Sequence, residues 1–191
     1  MRDRIEEARL EESEHGLAPA TDGWFVLNTR DALWETNDTF GAACHFEGEG
    51  AQFAELGINV RVLHPGRSRL VYHAEPYQEG FLVLTGECLL LVEGEERPLR
   101  AWDFFHCPPN TAHGIVATGM GPCVLAMFGA RPPGWPGGIV YPRSELALRH
   151  RAGVEEETSS VPEALAQFPP WRGGRPAGWD NLPWAEGDPV Q

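Results

Sequence analysis

Between residues 24 and 128 the apolar positions fall in short runs, at 24–27, 57–63, 69–73, 81–84, 88–92, 102–107, 113–117 and 123–128. Turn residues separate them: Pro65-Gly66, Thr85-Gly86-Glu87, Glu93-Gly94-Glu95, Pro108-Pro109-Asn110 and Gly119-Met120-Gly121-Pro122. Many short strands with regular turn signals predict an all-β sandwich or barrel. The stretch 88–99 predicts a hairpin, with Glu93-Gly94 supplying the positive φ of a tight turn.

The flanks differ from this middle. In residues 1–16, Ile5, Ala8 and Leu10 stand near helical spacing among Glu and Arg, which predicts a short exposed helix stopped by Gly16 and Pro19. Past residue 130 the chain carries ten of its 17 prolines and four of its seven tryptophans, so long helices and ladders are excluded there. Residues 144–151 and 161–168 each suit a short helix. Disordered tails are poor in aromatics, so Trp135, Trp171, Trp179 and Trp184 predict an ordered arm laid over the barrel or over a partner subunit. The organisation expected is an N-terminal helix and linker (1–21), a β-barrel (22–130) and a C-terminal arm (131–191).

Composition narrows the function. The 191 residues carry a net charge of −13, which argues against nucleic acid and anionic membrane surfaces. All 15 basic residues are Arg, so Schiff-base lysines and a P-loop are excluded. The Arg, Ala, Gly and Pro bias suits a GC-rich bacterial genome. Apolar runs are too short to span a bilayer, and the charged start lacks a signal-peptide core, so the expected compartment is the cytosol. Cys44, Cys88, Cys107 and Cys123 are widely spaced and read as buried thiols.

Chemistry gathers around two stretches. His73 and Glu75, two apart, share a strand face; Glu79 follows a Pro-containing turn and opens the next strand. His113 opens a later strand after Pro108-Pro109-Asn110. Two imidazoles and one or two carboxylates converging in a small barrel make a site for Fe(II), Mn(II), Ni(II) or Zn(II).

These stretches resemble the two motifs of the cupin superfamily. Gly66, His73, Glu79 and Gly86 follow the first motif, with His73-Ala74-Glu75 standing where His-x-His is usual and Gly66 one residue too far upstream. In another register Tyr72 and Ala74 hold the two His places. Trp102, Pro108, Asn110 and His113 follow the second motif, with both of its glycines replaced. The resemblance spans residues 57 to 128. It implies an antiparallel jelly-roll barrel, a homodimer paired through sheet edges, and one divalent ion held by His73, Glu75, Glu79 and His113. With Glu75 as ligand the site carries two negative charges and favours Fe(II) or Mn(II), with Zn(II) or Ni(II) as alternatives; without it, His73, Glu79 and His113 form a two-His-one-carboxylate face.

The function expected is a metal-dependent enzyme of dioxygenase, isomerase or lyase type acting on a small polar molecule, with Glu75 or Glu79 as general base. The alternative is a non-catalytic small-molecule binder that does without a metal. Tyr77 and Gln78, in the turn before Glu79, can touch a ligand. Arg61 and Arg69 fall on predicted strands, where an inward guanidinium would clamp a substrate carboxylate and an outward one would only aid solubility. His106, His64 and His45 read as structural or exposed residues, and Cys107 as an inert thiol.

Overall fold

The computed structural model describes residues 4–66 and 70–184. Its strands are β1 (Leu10–Ser13), β2 (Gly16–Pro19), β3 (Leu33–Asn37), β4 (Gly41–His45), β5 (Leu56–Leu63), β6 (Glu79–Thr85), β7 (Glu87–Val92), β8 (Glu95–Arg100), β9 (Phe104–Cys107), β10 (His113–Ala117), β11 (Cys123–Ala130) and β12 (Arg172–Gly173). Two short helices follow the barrel, α1 (Glu145–Arg149) and α2 (Val161–Leu165). A seven-stranded sheet, β12-β3-β4-β5-β11-β6-β9, faces a three-stranded one, β10-β7-β8, and every strand pairing is antiparallel. This is a jelly roll. No helix among the described residues is long and apolar enough to cross a membrane.

Strand alternation builds the interior. Leu63, Leu125, Phe81 and Val83 from the large sheet meet Leu90 and Ile115 from the small one, all 3% exposed or less. The 88–99 hairpin forms as expected, with Glu93 and Gly94 both at positive φ (49° and 80°). Val60, Val62 and Val124 point the other way, onto Trp34, and the arm covers them with Leu182, Trp179 and Trp184. Helix α1 lays Leu146 and Ala147 over the outer face of the small sheet, against Leu91. Ser144 and Ser160 cap the two helices, each accepting a hydrogen bond from a first-turn N–H.

The N-terminal helix expected over 1–16 does not form among the described residues 4–16. Residues 10–19 make the β1-β2 hairpin instead, which docks on the edge of the large sheet through Leu17 N–H to Asp31 O (2.7 Å) and Trp34 N–H to His15 O (3.1 Å). An isolated helix of this length is marginal in water, whereas the hairpin gains partners for its backbone groups. Gly16 permits it: at φ 126° its missing Cβ would lie 2.2 Å from Ala32 O.

Three further differences bear on the site. Residues 24–27 form no strand and leave Val26 85% exposed. The β3-β4 hairpin was not expected from the apolar pattern. Residues 70–73 run beside β10 without forming a regular strand, because Tyr72 N–H turns to Ala152 O (2.6 Å) while Leu70 N–H reaches Ile115 O (2.9 Å). Arg69, on that expected strand, lies outside the described residues.

Candidate metal centre

His73 and His113 face each other across a narrow antiparallel bridge, each backbone N–H donating to the other's carbonyl at 2.8 Å. This sets the two rings side by side, with centroids 4.7 Å apart. Each ring is then oriented by a carbonyl two residues back: Val71 O lies 2.6 Å from His73 Nδ1, and Thr111 O lies 3.1 Å from His113 Nδ1. A carbonyl only accepts, so both Nδ1 atoms donate, and both Nε2 atoms offer lone pairs to the interior while the rings are neutral.

Glu79 reaches in from the large sheet. Its Oε2 lies 3.5 Å from His113 Nε2, and the ligand atoms of His73, Glu79 and His113 all fall within 4.8 Å of one another. Glu79 Oε2 and His113 Nε2 are both buried without a hydrogen-bond partner. Their separation suits two ligands of one ion better than a hydrogen bond, and the nitrogen–nitrogen–carboxylate donor set fits a divalent ion.

Electrostatics agree with that fit. Burial, then the charge of Glu75, pushes the Glu79 carboxyl up to about 7, against the pull of His73. Burial, then the neighbouring His73, lowers His113 to about 4. For His73, burial opposes the cation, but the contact with Glu75, the Val71 carbonyl and the nearby carboxylates outweigh it and raise the pKa. Near neutral pH the polypeptide alone keeps His113 neutral, with a lone pair to offer, and carries the Glu79 carboxylate at a cost that a cation would relieve.

Glu75 stands to one side. Its Oε1 is 3.6 Å from His73 Nε2, and it falls outside the three-residue ligand group. It lines a cavity of about 140 Å³ together with Glu79, Asn59, Met127, Arg131 and Trp135. The second motif steadies it, since Asn110 N–H donates to Glu75 O at 2.5 Å. Asn110 and Trp102, the residues at the two replaced glycine positions, keep positive φ (65° and 75°), so the turn geometry survives the change of side chain.

The remaining candidates are spread more widely. Tyr77 Oη donates to Gly134 O at 3.4 Å and so ties the 131–138 loop to the barrel mouth. Gln78 is exposed and does not line the cavity. Arg61 points inward, since it pairs with Leu125 of the interior, and its guanidinium lies 4.8 Å over Trp171. Cys107 is buried with its thiol pushed up to about 12, by burial and then by Glu79, which makes it an inert neighbour 3.4 Å from His113 Nδ1. His106 is exposed on β9, while His45 stands 3.1 Å from Glu35. Asn59, Arg131 and Trp135 were not foreseen as cavity residues. For Asn59 a signal existed, in the polar positions of the alternation along β5.

Comparison with known proteins places this barrel. A family model described as Cupin domain matches residues 59–129. No curated protein matches the chain. Among solved structures, the polyketide cyclase RemF from Streptomyces resistomycificus is 15% identical with a TM-score of 0.50, over 58% of this chain and 82% of that one. An RmlC-like cupin from Shewanella frigidimarina NCIMB 400 is 19% identical with a TM-score of 0.48, over 60% and 96%. A chain from Acidithiobacillus ferrooxidans ATCC 23270, proposed to be a sugar phosphate isomerase, is 27% identical with a TM-score of 0.40; the match covers 45% of this chain and only 54% of that one. These likenesses concern the fold.

Proposed function

We propose that this chain, a member of the cupin superfamily through its barrel at residues 59–129, is a metal-dependent enzyme acting on a small polar molecule. The observation that carries the reading is the pair of orphaned atoms, His113 Nε2 and Glu79 Oε2, set 3.5 Å apart inside the barrel. Unpartnered buried donors and acceptors are costly, and a divalent ion held by His73, Glu79 and His113 removes that cost. Fe(II) or Mn(II) suits this donor set best, with Zn(II) or Ni(II) as alternatives. Such an ion, when bound, polarises a substrate oxygen and stabilises a developing enolate or oxyanion.

The protein's own groups supply the rest. The Val71 and Thr111 carbonyls fix both imidazoles. Phe81 and Phe105 close around His113, with ring centroids 5.1 and 5.9 Å from it, and keep water from that side. Glu75, on the cavity wall and outside the ligand group, is the general base: its carboxylate takes a proton from the substrate and returns it to the rearranged substrate or the leaving group. This chemistry serves an isomerase, a lyase or a dioxygenase. A second copy would pair along the free edge strand β9, where Phe104 is 60% exposed. We place the protein in the cytosol.

Elemental mass spectrometry on untagged protein purified without chelator tests the reading. The expected result is about one divalent ion per chain in the wild type, lost in His113→Ala and retained in Glu75→Gln. A wild type that takes up no metal even on reconstitution overturns the enzyme reading and leaves a non-catalytic binding barrel. Loss of the ion in Glu75→Gln returns Glu75 to the ligand set.

A further inference from the structure

We propose that Arg61 anchors an anion-binding site inside the barrel, built to hold the carboxylate or phosphate group of a small molecule. Strand β5 sends Asn59 and Arg61 to the same face as Leu63, since Asn59 pairs with Met127 and Arg61 with Leu125, both part of the interior cluster. Arg61 Nε and Nη1 are closed off from solvent and have no hydrogen-bond partner. The residue as a whole keeps partial exposure, so its surroundings are open on one side.

The groups that face Arg61 leave it without an ion pair. Glu35, across Ala43 on the same face, is near enough for its charge to favour the guanidinium against the cost of burial, but its close contact is with His45 at 3.1 Å. No carboxylate among the described residues stands within ion-pairing distance of the guanidinium. Trp171 offers a ring face 4.8 Å away, which supports a cation without satisfying its N–H groups. Contrast Arg131, whose guanidinium is held by both oxygens of Glu47 (2.6 and 2.7 Å) and by Phe53 O (2.9 Å). That is how this protein treats an arginine with a structural task.

Asn59 extends the site toward the cavity. The residue lines the cavity shared with Glu75 and Glu79. Its amide Nδ2 is the neutral donor that can join the guanidinium in holding an oxyanion, while its buried, unpartnered Oδ1 is left to accept from a hydroxyl of the same small molecule. A buried guanidinium left unpaired destabilises the fold, and an oxyanion is the partner whose charge and geometry match it. The inference needs no metal.

Thermal unfolding of the chelator-treated full chain tests it, with malonate, inorganic phosphate and neutral erythritol added at constant ionic strength. One of the two anions is expected to raise the wild-type Tm by about 5 °C at hundredfold excess over its Kd, and erythritol to leave it unchanged. Which anion does so distinguishes carboxylate from phosphate. Arg61→Met is expected to unfold at or above the wild-type temperature and to lose the anion response, and Arg61→Lys to keep a response at least tenfold weaker in Kd. A wild type indifferent to both anions overturns the proposal. So does an Arg61→Met protein that responds like wild type, or one that is unfolded or strongly destabilised, since the guanidinium would then be a structural anchor for Trp171. Metal content is read separately on the same proteins, so failure here and failure of the metal reading are told apart.

Discussion

Glu79 and His113 are driven in opposite directions by one cause, the loss of water. In the metal-free protein Glu79 titrates near 7, above the ordinary carboxyl value, so between about 4.5 and 7 the folded state holds a proton that the unfolded state has released, and stability falls as pH rises. His113 titrates near 4, below the ordinary imidazole value; from about 4 to 6.5 the unfolded state holds the extra proton, and stability rises with pH. The two slopes oppose each other up to pH 6.5; above it His113 contributes no further gain, the Glu79 penalty stands, and His73, whose pKa is raised, adds to the fall of stability with rising pH. We therefore expect metal-free Glu79→Gln to be more stable than metal-free wild type at pH 8, by about 2–3 kcal/mol, with the difference shrinking toward pH 5. Urea midpoints at both pH values check this; a wild type equal to or better than Glu79→Gln at pH 8 would show that the carboxylate is solvated. His73, Glu79 and His113 were legible in the sequence because the motif spacing names them. The separation of Glu75 from the group was not, since a two-residue spacing fixes a face and leaves the side-chain reach open.

At the level of elements, β5 shows how an alternating pattern can be read correctly in period and still leave its faces unassigned. Ile58, Val60 and Val62 look like the barrel face, yet Val60 and Val62 lie under the arm while Asn59 and Arg61 look inward. The period of two is visible in one strand; which side is the interior depends on what covers the other side. The N-terminal segment fails differently, because three apolar residues in a charged stretch satisfy a helical period without enough surface to hold a helix. The turn between β8 and β9 carries its own prediction. Trp102 sits there at φ 75° and 75% exposed, in a conformation that disfavours any side chain with a Cβ. Trp102→Gly is expected to stabilise the protein by about 0.5–1 kcal/mol, and Trp102→Val to destabilise it by a similar amount or more. Thermal melts of the pair decide the matter: a loss of stability in Trp102→Gly would mean the ring makes contacts worth more than the backbone strain.

Across the whole molecule the arm behaves as a wall of the barrel. Its residue Leu182, 2% exposed, sits on the same cluster as Trp34, whose ring meets Trp179 at 5.5 Å and Trp184 at 5.2 Å. Strand β12 adds backbone pairing by joining the edge of β3, and Asn37 Nδ2 donates to Pro169 O at 2.6 Å. Such an outer face could not stand in water alone: Trp34, Val60, Val62 and Val124 would form a contiguous apolar patch. Arm and barrel should therefore unfold as one unit, although the sequence shows an abrupt change of composition at their junction. Leu182→Ala is expected to cost about 2–5 kcal/mol, the range for an enclosed leucine, and to lower the single transition without splitting it. The tryptophans at the junction report on the arm by fluorescence, and far-UV circular dichroism reports on the strands of the barrel. Coincident urea transitions by the two probes, shifted together in Leu182→Ala, are the expected result. A fluorescence transition that precedes the loss of strand signal would make the arm a separable layer, and Trp34 would then need another cover.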